Sequence, residues 1–104
     1  MIKVFQVTDQ EPLYPKFTFT YGMKTEDGRD IGFQLKDNLD KYEHVANIAT
    51  DDLDVAYKIG NIGPEGDIKR KGPMHSISVG DILEKNGEKF IVARVGFEKL
   101  EEVA

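Results

Sequence analysis

The chain has 104 residues, room for one ordinary domain and not for two. Hydrophobic residues at 39% and charged residues at 32% exclude a disordered chain, and no apolar run approaches the ~20 residues of a membrane helix. The net charge of −5 disfavours direct nucleic-acid binding, and the absence of cysteine removes disulfides, thiol nucleophiles and the usual structural zinc sites.

Residues 1–104 are therefore read as a single domain large enough to bury roughly 65% of its unfolded surface. The N-terminus Met1-Ile2-Lys3-Val4-Phe5 lacks the zones of a signal peptide, so a cytoplasmic protein is expected. Ile2 to Val7 is β-rich and forms the first predicted strand. Pro12 and Pro15 end it, because proline removes a ladder donor and restrains its predecessor. Phe17, Phe19, Tyr21 and Met23 then alternate with Thr18, Thr20 and Gly22. Past the turn signal Asp27-Gly28, Ile31, Phe33 and Leu35 alternate with Gly32, Gln34 and Lys36. Two period-two runs flanking a turn predict a β-hairpin with one buried face. Its aromatics could in principle stack bases, but few Lys or Arg border them, so core packing is expected.

The period then changes. Leu39, Tyr42, Val45, Ala46 and Ala49 fall at helical spacing, with Asp37 or Asn38 placed to cap. Thr50-Asp51-Asp52 predicts a second helix start, in which Thr50 caps and the aspartates favour the positive end of the helix dipole. Leu53, Ala56 and Tyr57 give that helix an apolar side, and Gly60 is the expected terminator. Residues 60–74 hold four glycines and two prolines and read as a long loop carrying the basic run Lys69-Arg70-Lys71. Asn86-Gly87 predicts a two-residue hairpin turn joining Asp81–Lys85 to Glu88–Val95. The run Phe90-Ile91-Val92-Ala93 suggests a central strand covered on both faces, and Gly96 permits a bend before Phe97. The fold class is thus α+β: a mostly antiparallel sheet of five to six strands with two short central helices. A small β-barrel closed by the two hairpins is the alternative.

No complete catalytic set emerges. His75, Ser76, Ser78 and Asp81 crowd into seven residues of extended chain, without a nucleophile elbow or an oxyanion hole. The simpler expectation is that Ser76 and Ser78 face one way, Ile77 and Val79 pack the other, and Val79-Gly80-Asp81 turns the chain into the hairpin. His44 and His75 are the only imidazoles and lack metal-ligand spacing, so neither a metal nor a cofactor is expected.

From Leu53 onward the order of signals resembles a pattern of small phage and mobile-element proteins. It consists of Leu53-Asp54-Val55-Ala56-Tyr57, Asn61, His75-Ser76-Ile77-Ser78-Val79-Gly80-Asp81 and a closing Gly96-Phe97. This core is similar to the YodL-like domain over roughly residues 50–100. The resemblance implies a viral setting, hence the host cytoplasm, and carries no catalytic residues with it. The expected function is a non-enzymatic protein-binding module, a phage-encoded modulator of a host protein. Its contact residues would be Lys69, Arg70, Lys71, His75 and Ser76. One alternative is an acidic DNA mimic acting on a nucleic-acid-binding enzyme through Asp37, Asp40, Glu43, Asp51, Asp52 and Asp54. Another is a small hydrolase or nucleotide-ligand protein using His75.

Overall fold

Alternation in Ile2-Lys3-Val4 sends the isoleucine and valine inward and the lysine to solvent, and it sets the first strand of an open sheet. A computed structural model describes residues 1–7, 17–35 and 38–100, with the side chains of all these except Phe17 and Phe19. Six strands form: β1 (Ile2–Val7), β2 (Tyr42–Ile48), β3 (Ile68–Arg70), β4 (Ile82–Lys85), β5 (Glu88–Val92) and β6 (Phe97–Lys99). Their order across the sheet is β3-β2-β1-β4-β5-β6, with every neighbouring pair antiparallel. The sheet is open, and β3 and β6 are its edges, so the barrel alternative does not hold. The α+β class does.

One α-helix, α1 (Leu53–Ile62), lies among the described residues, together with 3-10 turns at Phe17–Thr20, Leu39–Lys41 and Glu65–Asp67. The other expected helix is β2. A register shift is the reason: Val4 pairs with Ala46 but Phe5 pairs with His44, so Val45 is an extra residue in the ladder. This β-bulge turns both Val45 and Ala46 inward, and two adjacent buried residues imitate a helical stripe. Asn38 caps nothing with its side chain; its amide donates to Gln34 O at 2.7 Å.

The second expected helix forms. Asp52, two residues beyond Thr50, is the capping residue, accepting from Val55 N at 3.1 Å, while the Thr50 hydroxyl accepts from Asp52 N. Gly60 does not end the helix. It sits inside it because a Cβ there would lie 2.2 Å from the Ile77 side chain, so the glycine lets the helix approach the 75–78 segment. Termination falls at Gly63, with φ 98°, whose amide closes on Ile59 O at 2.9 Å.

The helix covers one face of the sheet. Its Ala56 and Ile59 join Ile2, Val4, Val45, Ala46, Ile48, Ile77, Leu83 and Val92 in the core. The opposite face is covered at one end by residues 17–35, which dock through Phe33, buried and edge-on to Tyr42 at 6.2 Å. These residues are not the expected strand hairpin. The Asp27-Gly28 turn is present, with Gly28 at φ 87°, but only the single bridge Lys24–Asp30 follows from it. Gly22, at φ 83°, breaks one arm. In the other, Gly32 abuts Thr20 so closely that a Cβ would lie 1.8 Å from the Thr20 carbonyl oxygen.

The 60–74 stretch is likewise more ordered than its composition predicts. Ala49 N donates to Asp67 O and Lys71 N to Val45 O, which makes Ile68–Arg70 the outer strand β3. That partner lies about twenty residues away, where local turn signals carry no information about it. The C-terminal hairpin forms as predicted about Asn86 (φ 51°) and Gly87 (φ 82°), although β5 stops at Val92. Ala93 N closes on Gly96 O, and the chain returns as β6. Ile91 and Val92 are both buried, so β5 is covered on both faces, while the middle of the sheet is the β1–β4 pair.

Candidate functional site

The alternation of β1 places a polar residue, Gln6, on the same inward face as Ile2 and Val4, and it is wholly inaccessible. Buried amides need partners, and those of Gln6 are all in the 75–81 segment. Its Nε2 donates to His75 O at 2.8 Å and to Asp81 Oδ2 at 3.0 Å, and its Oε1 accepts from His75 N at 3.2 Å. Asp81 Oδ2 also accepts from Ser78 N at 3.0 Å, and Asp81 N donates back to Ser78 O. Gln6 and Asp81 thereby clip residues 75–78 to the sheet. Val79-Gly80-Asp81 is the entry to the hairpin, as expected. The serines divide differently from the expectation: Ser76 is exposed, whereas the Ser78 hydroxyl is buried beside Ile77.

Burial pushes the Asp81 carboxyl up from 3.8 to about 8, against the opposing pull of the Ser78 backbone and side chain and the Gln6 amide. With both Gln6 amide hydrogens engaged, the consistent tautomer has His75 Nδ1–H donating to Ser76 O at 2.8 Å. His75 Nε2, Ser78 Oγ and Asp81 Oδ1 are then buried and have no hydrogen-bond partner among the described residues. No hydrogen bond joins His75 to either serine hydroxyl, and its free nitrogen is closed off from solvent. The hydrogen bonds of the cluster position the chain.

Three of the five expected contact residues meet at one place. Arg70, His75 and Ser76 line a cleft of about 170 Å³ between β3 and the C-terminal turn of α1, which contributes Asn61 and Ile62. Arg70 reaches both carboxylate oxygens of Glu65, at 2.8 and 3.0 Å, with its guanidinium still half exposed. Ile62 stands at the rim, 86% exposed, an unusual place for a large apolar side chain. Lys69 and Lys71 do not join them. Strand alternation turns Lys69 to the other face, where it lies beside Asn47, and Lys71 is exposed beyond the strand end.

The acidic residues do not make one row. Asp37 lies outside the described residues. Asp40 and Glu43 stand at one end of β2, and Asp51, Asp52 and Asp54 beyond the other, separated by a strand of about 20 Å. Asp51 is paired with the N-terminal ammonium, which holds its carboxyl below the usual range, and Asp52 is occupied as a helix cap. Among the described residues no group of three His, Asp or Glu converges to hold a metal ion. Nor is any helix among the described residues long and apolar enough to cross a membrane. Gln6 and Glu65 escaped the sequence reading. A signal for Gln6 existed, since it breaks the inward apolar register of Ile2 and Val4; nothing local marks Glu65.

No protein family, curated protein or solved structure matches the chain.

Proposed function

We propose that the chain is a non-enzymatic protein-binding module, in the setting its resemblance implies a phage-encoded modulator of a host protein in the host cytoplasm. The observation that carries this reading is the convergence of Arg70, His75 and Ser76 on one cleft rimmed by exposed Ile62. Arginine is enriched at interface hot spots, and an exposed large apolar side chain beside it supplies area to bury on contact. The Gln6–Asp81 clip supports the reading from beneath, because a surface held rigid before contact loses less entropy on binding.

The test uses the chain as bait in a host lysate, beside an Ile62→Asp/Arg70→Glu variant whose fold is checked by circular dichroism. A partner retained by the wild type and lost by the variant supports the module. Equal retention by both, or none by either, overturns the proposed face.

A further inference from the structure

Among the described residues, the face of the sheet turned away from α1 is covered only at the end where residues 17–35 dock, and its charge differs from that of the chain. Register places a continuous row across five strands: Lys69 opposite Asn47, Asn47 opposite Lys3, Lys3 opposite Glu84, and Glu84 opposite Lys89. In a protein of net charge −5, this row holds three exposed lysines and one half-buried glutamate. At about 4.8 Å per strand, Lys3 stands roughly 10 Å from each of the other two. The next row carries the rings. Phe5 and His44 are paired neighbours, half exposed, with centroids 5.1 Å apart and planes inclined by 30°. Asn47 Oδ1 fixes the imidazole from the lysine row at 2.7 Å from Nε2.

We propose that this face binds single-stranded nucleic acid, with Phe5 and His44 stacking on bases and Lys3, Lys69 and Lys89 meeting phosphates. Two rings beside a track of cations on an open sheet is the arrangement by which sheet proteins take single strands. A duplex hides the base faces such rings need, and the overall negative charge opposes it, so the single strand is the form that fits. Net charge alone argued against any nucleic acid; the distribution of that charge argues otherwise on this face. The Lys89 ammonium lies 5.2 Å from the Phe5 ring centre. An arriving base displaces it toward the phosphates, since stacking on the ring is the stronger contact. The face lies opposite the Arg70–His75 cleft, so its test is independent of the protein-binding reading.

Labelled 12-nucleotide oligo-dT and oligo-U are titrated with the full chain by fluorescence anisotropy. Neutralising three phosphates on a single strand gives a log–log salt slope of about −2, so affinity is expected to fall about 16-fold from 50 to 200 mM salt. Lys3→Glu/Lys89→Glu, both on exposed side chains, is expected to weaken binding at least 10-fold. His44→Ala weakens it several-fold, and the ring resonances of Phe5 and His44 shift on adding oligo-dT. No binding at millimolar protein, or unchanged affinity in the lysine variant, overturns the proposal. So does equal competition by a poly-glutamate peptide, which would make the face a site for acidic protein segments.

Discussion

Two regions of this molecule announce themselves in the same way and fold differently. Residues 82–92 and residues 17–35 each place apolar residues about a turn signal, Asn86-Gly87 in one and Asp27-Gly28 in the other. Both turns form, with glycines at φ 82° and 87°. Only the first is continued by two strands, because β4 has β1 on its other side and β5 has β6. The second has no neighbouring strand among the described residues, and its ladder there is the Lys24–Asp30 bridge alone. A turn signal therefore specifies a turn; whether strands follow is decided by partners distant in sequence.

The 17–35 region and the residue that enters the 82–92 hairpin each hold a titratable group raised by burial, and the two differ most in the pH at which this matters. Burial, aided by the Glu98 carboxylate, pushes the Tyr21 hydroxyl of the 17–35 region up from 10.0 to about 12, so stability tied to it is lost only between those values. Asp81, at the mouth of the hairpin, is raised from 3.8 to about 8. Below about pH 4 both folded and unfolded chains hold this proton, and its contribution is complete. Between about 4 and 8 the unfolded chain ionises while the fold keeps the proton, so stability falls as pH rises, by on the order of 5 kcal/mol in all. Urea midpoints measured at pH 5, 7 and 9 should decline, and Asp81→Asn should flatten the decline. The asparagine oxygen can still accept from Gln6 and Ser78, while its buried unpaired NH₂ costs about 1 kcal/mol. The two curves should cross, with the variant the more stable at pH 9. Parallel curves would place the pH dependence elsewhere.

Packing gives the next largest contrast. Leu83 is wholly buried between Val4 of β1 and Phe90 of β5, so Leu83→Ala should cost about 3–4 kcal/mol, read as a melting temperature lower by roughly 15–20 °C. Ile31 occupies an equally apolar position in the other pattern but is 61% exposed, and Ile31→Ala should fall within about 0.5 kcal/mol. Similar losses in the two variants would mean that the alternation in 17–35 buries more than its exposure indicates.

What could be read from the sequence follows the same division. β1, the capped helix and the C-terminal hairpin have local causes: alternation in Ile2-Lys3-Val4, an aspartate cap at Asp52, and two residues able to take positive φ at Asn86-Gly87. β2 was disguised by the bulge at Val45, which exists only because β1 pairs across it. β3 owes its strand to β2, and Gly60 its place within the helix to Ile77, a contact seventeen residues away. At the site, His75, Ser76 and Arg70 could be named as polar residues near a loop. Their convergence depends on Gln6, sixty-nine residues from His75, and no spacing rule reaches that far.

The 17–35 region meets the entry to the 82–92 hairpin at Gly80. Its φ is 92°, and a Cβ there would lie 2.4 Å from Thr18 O, while its own carbonyl accepts from Tyr42 Oη at 2.5 Å. Gly80→Ala should therefore cost about 2–3 kcal/mol from backbone strain and overpacking together. The hairpin entry is held by the Asp81 hydrogen bonds, so the 17–35 segment should be the part that yields. Hydrogen exchange should show the Phe33 amide, bonded to Thr20 Oγ1 at 2.8 Å, losing protection before amides of β4. Simultaneous loss in both would show that docking of residues 17–35 and folding of the sheet are one cooperative event.

The smallest effect separates the turns themselves. Gly28 and Gly87 have nearly equal positive φ, and an added Cβ meets nothing within 4 Å at either, so alanine imposes only local strain of about 1 kcal/mol. At Gly87 that strain cannot be relieved without separating β4 from β5, which belong to the core ladder, so global stability should fall by about that amount. At Gly28 the single Lys24–Asp30 bridge can open while the sheet remains intact. Gly28→Ala should then leave the urea midpoint unchanged and speed exchange of the Thr25 and Ile31 amides, which donate to Arg29 O and Met23 O. Identical strain would thus be read out globally in one turn and locally in the other. A lowered midpoint for Gly28→Ala would instead mean that the loop tip is coupled to the sheet through the buried Phe33, despite its lack of strands.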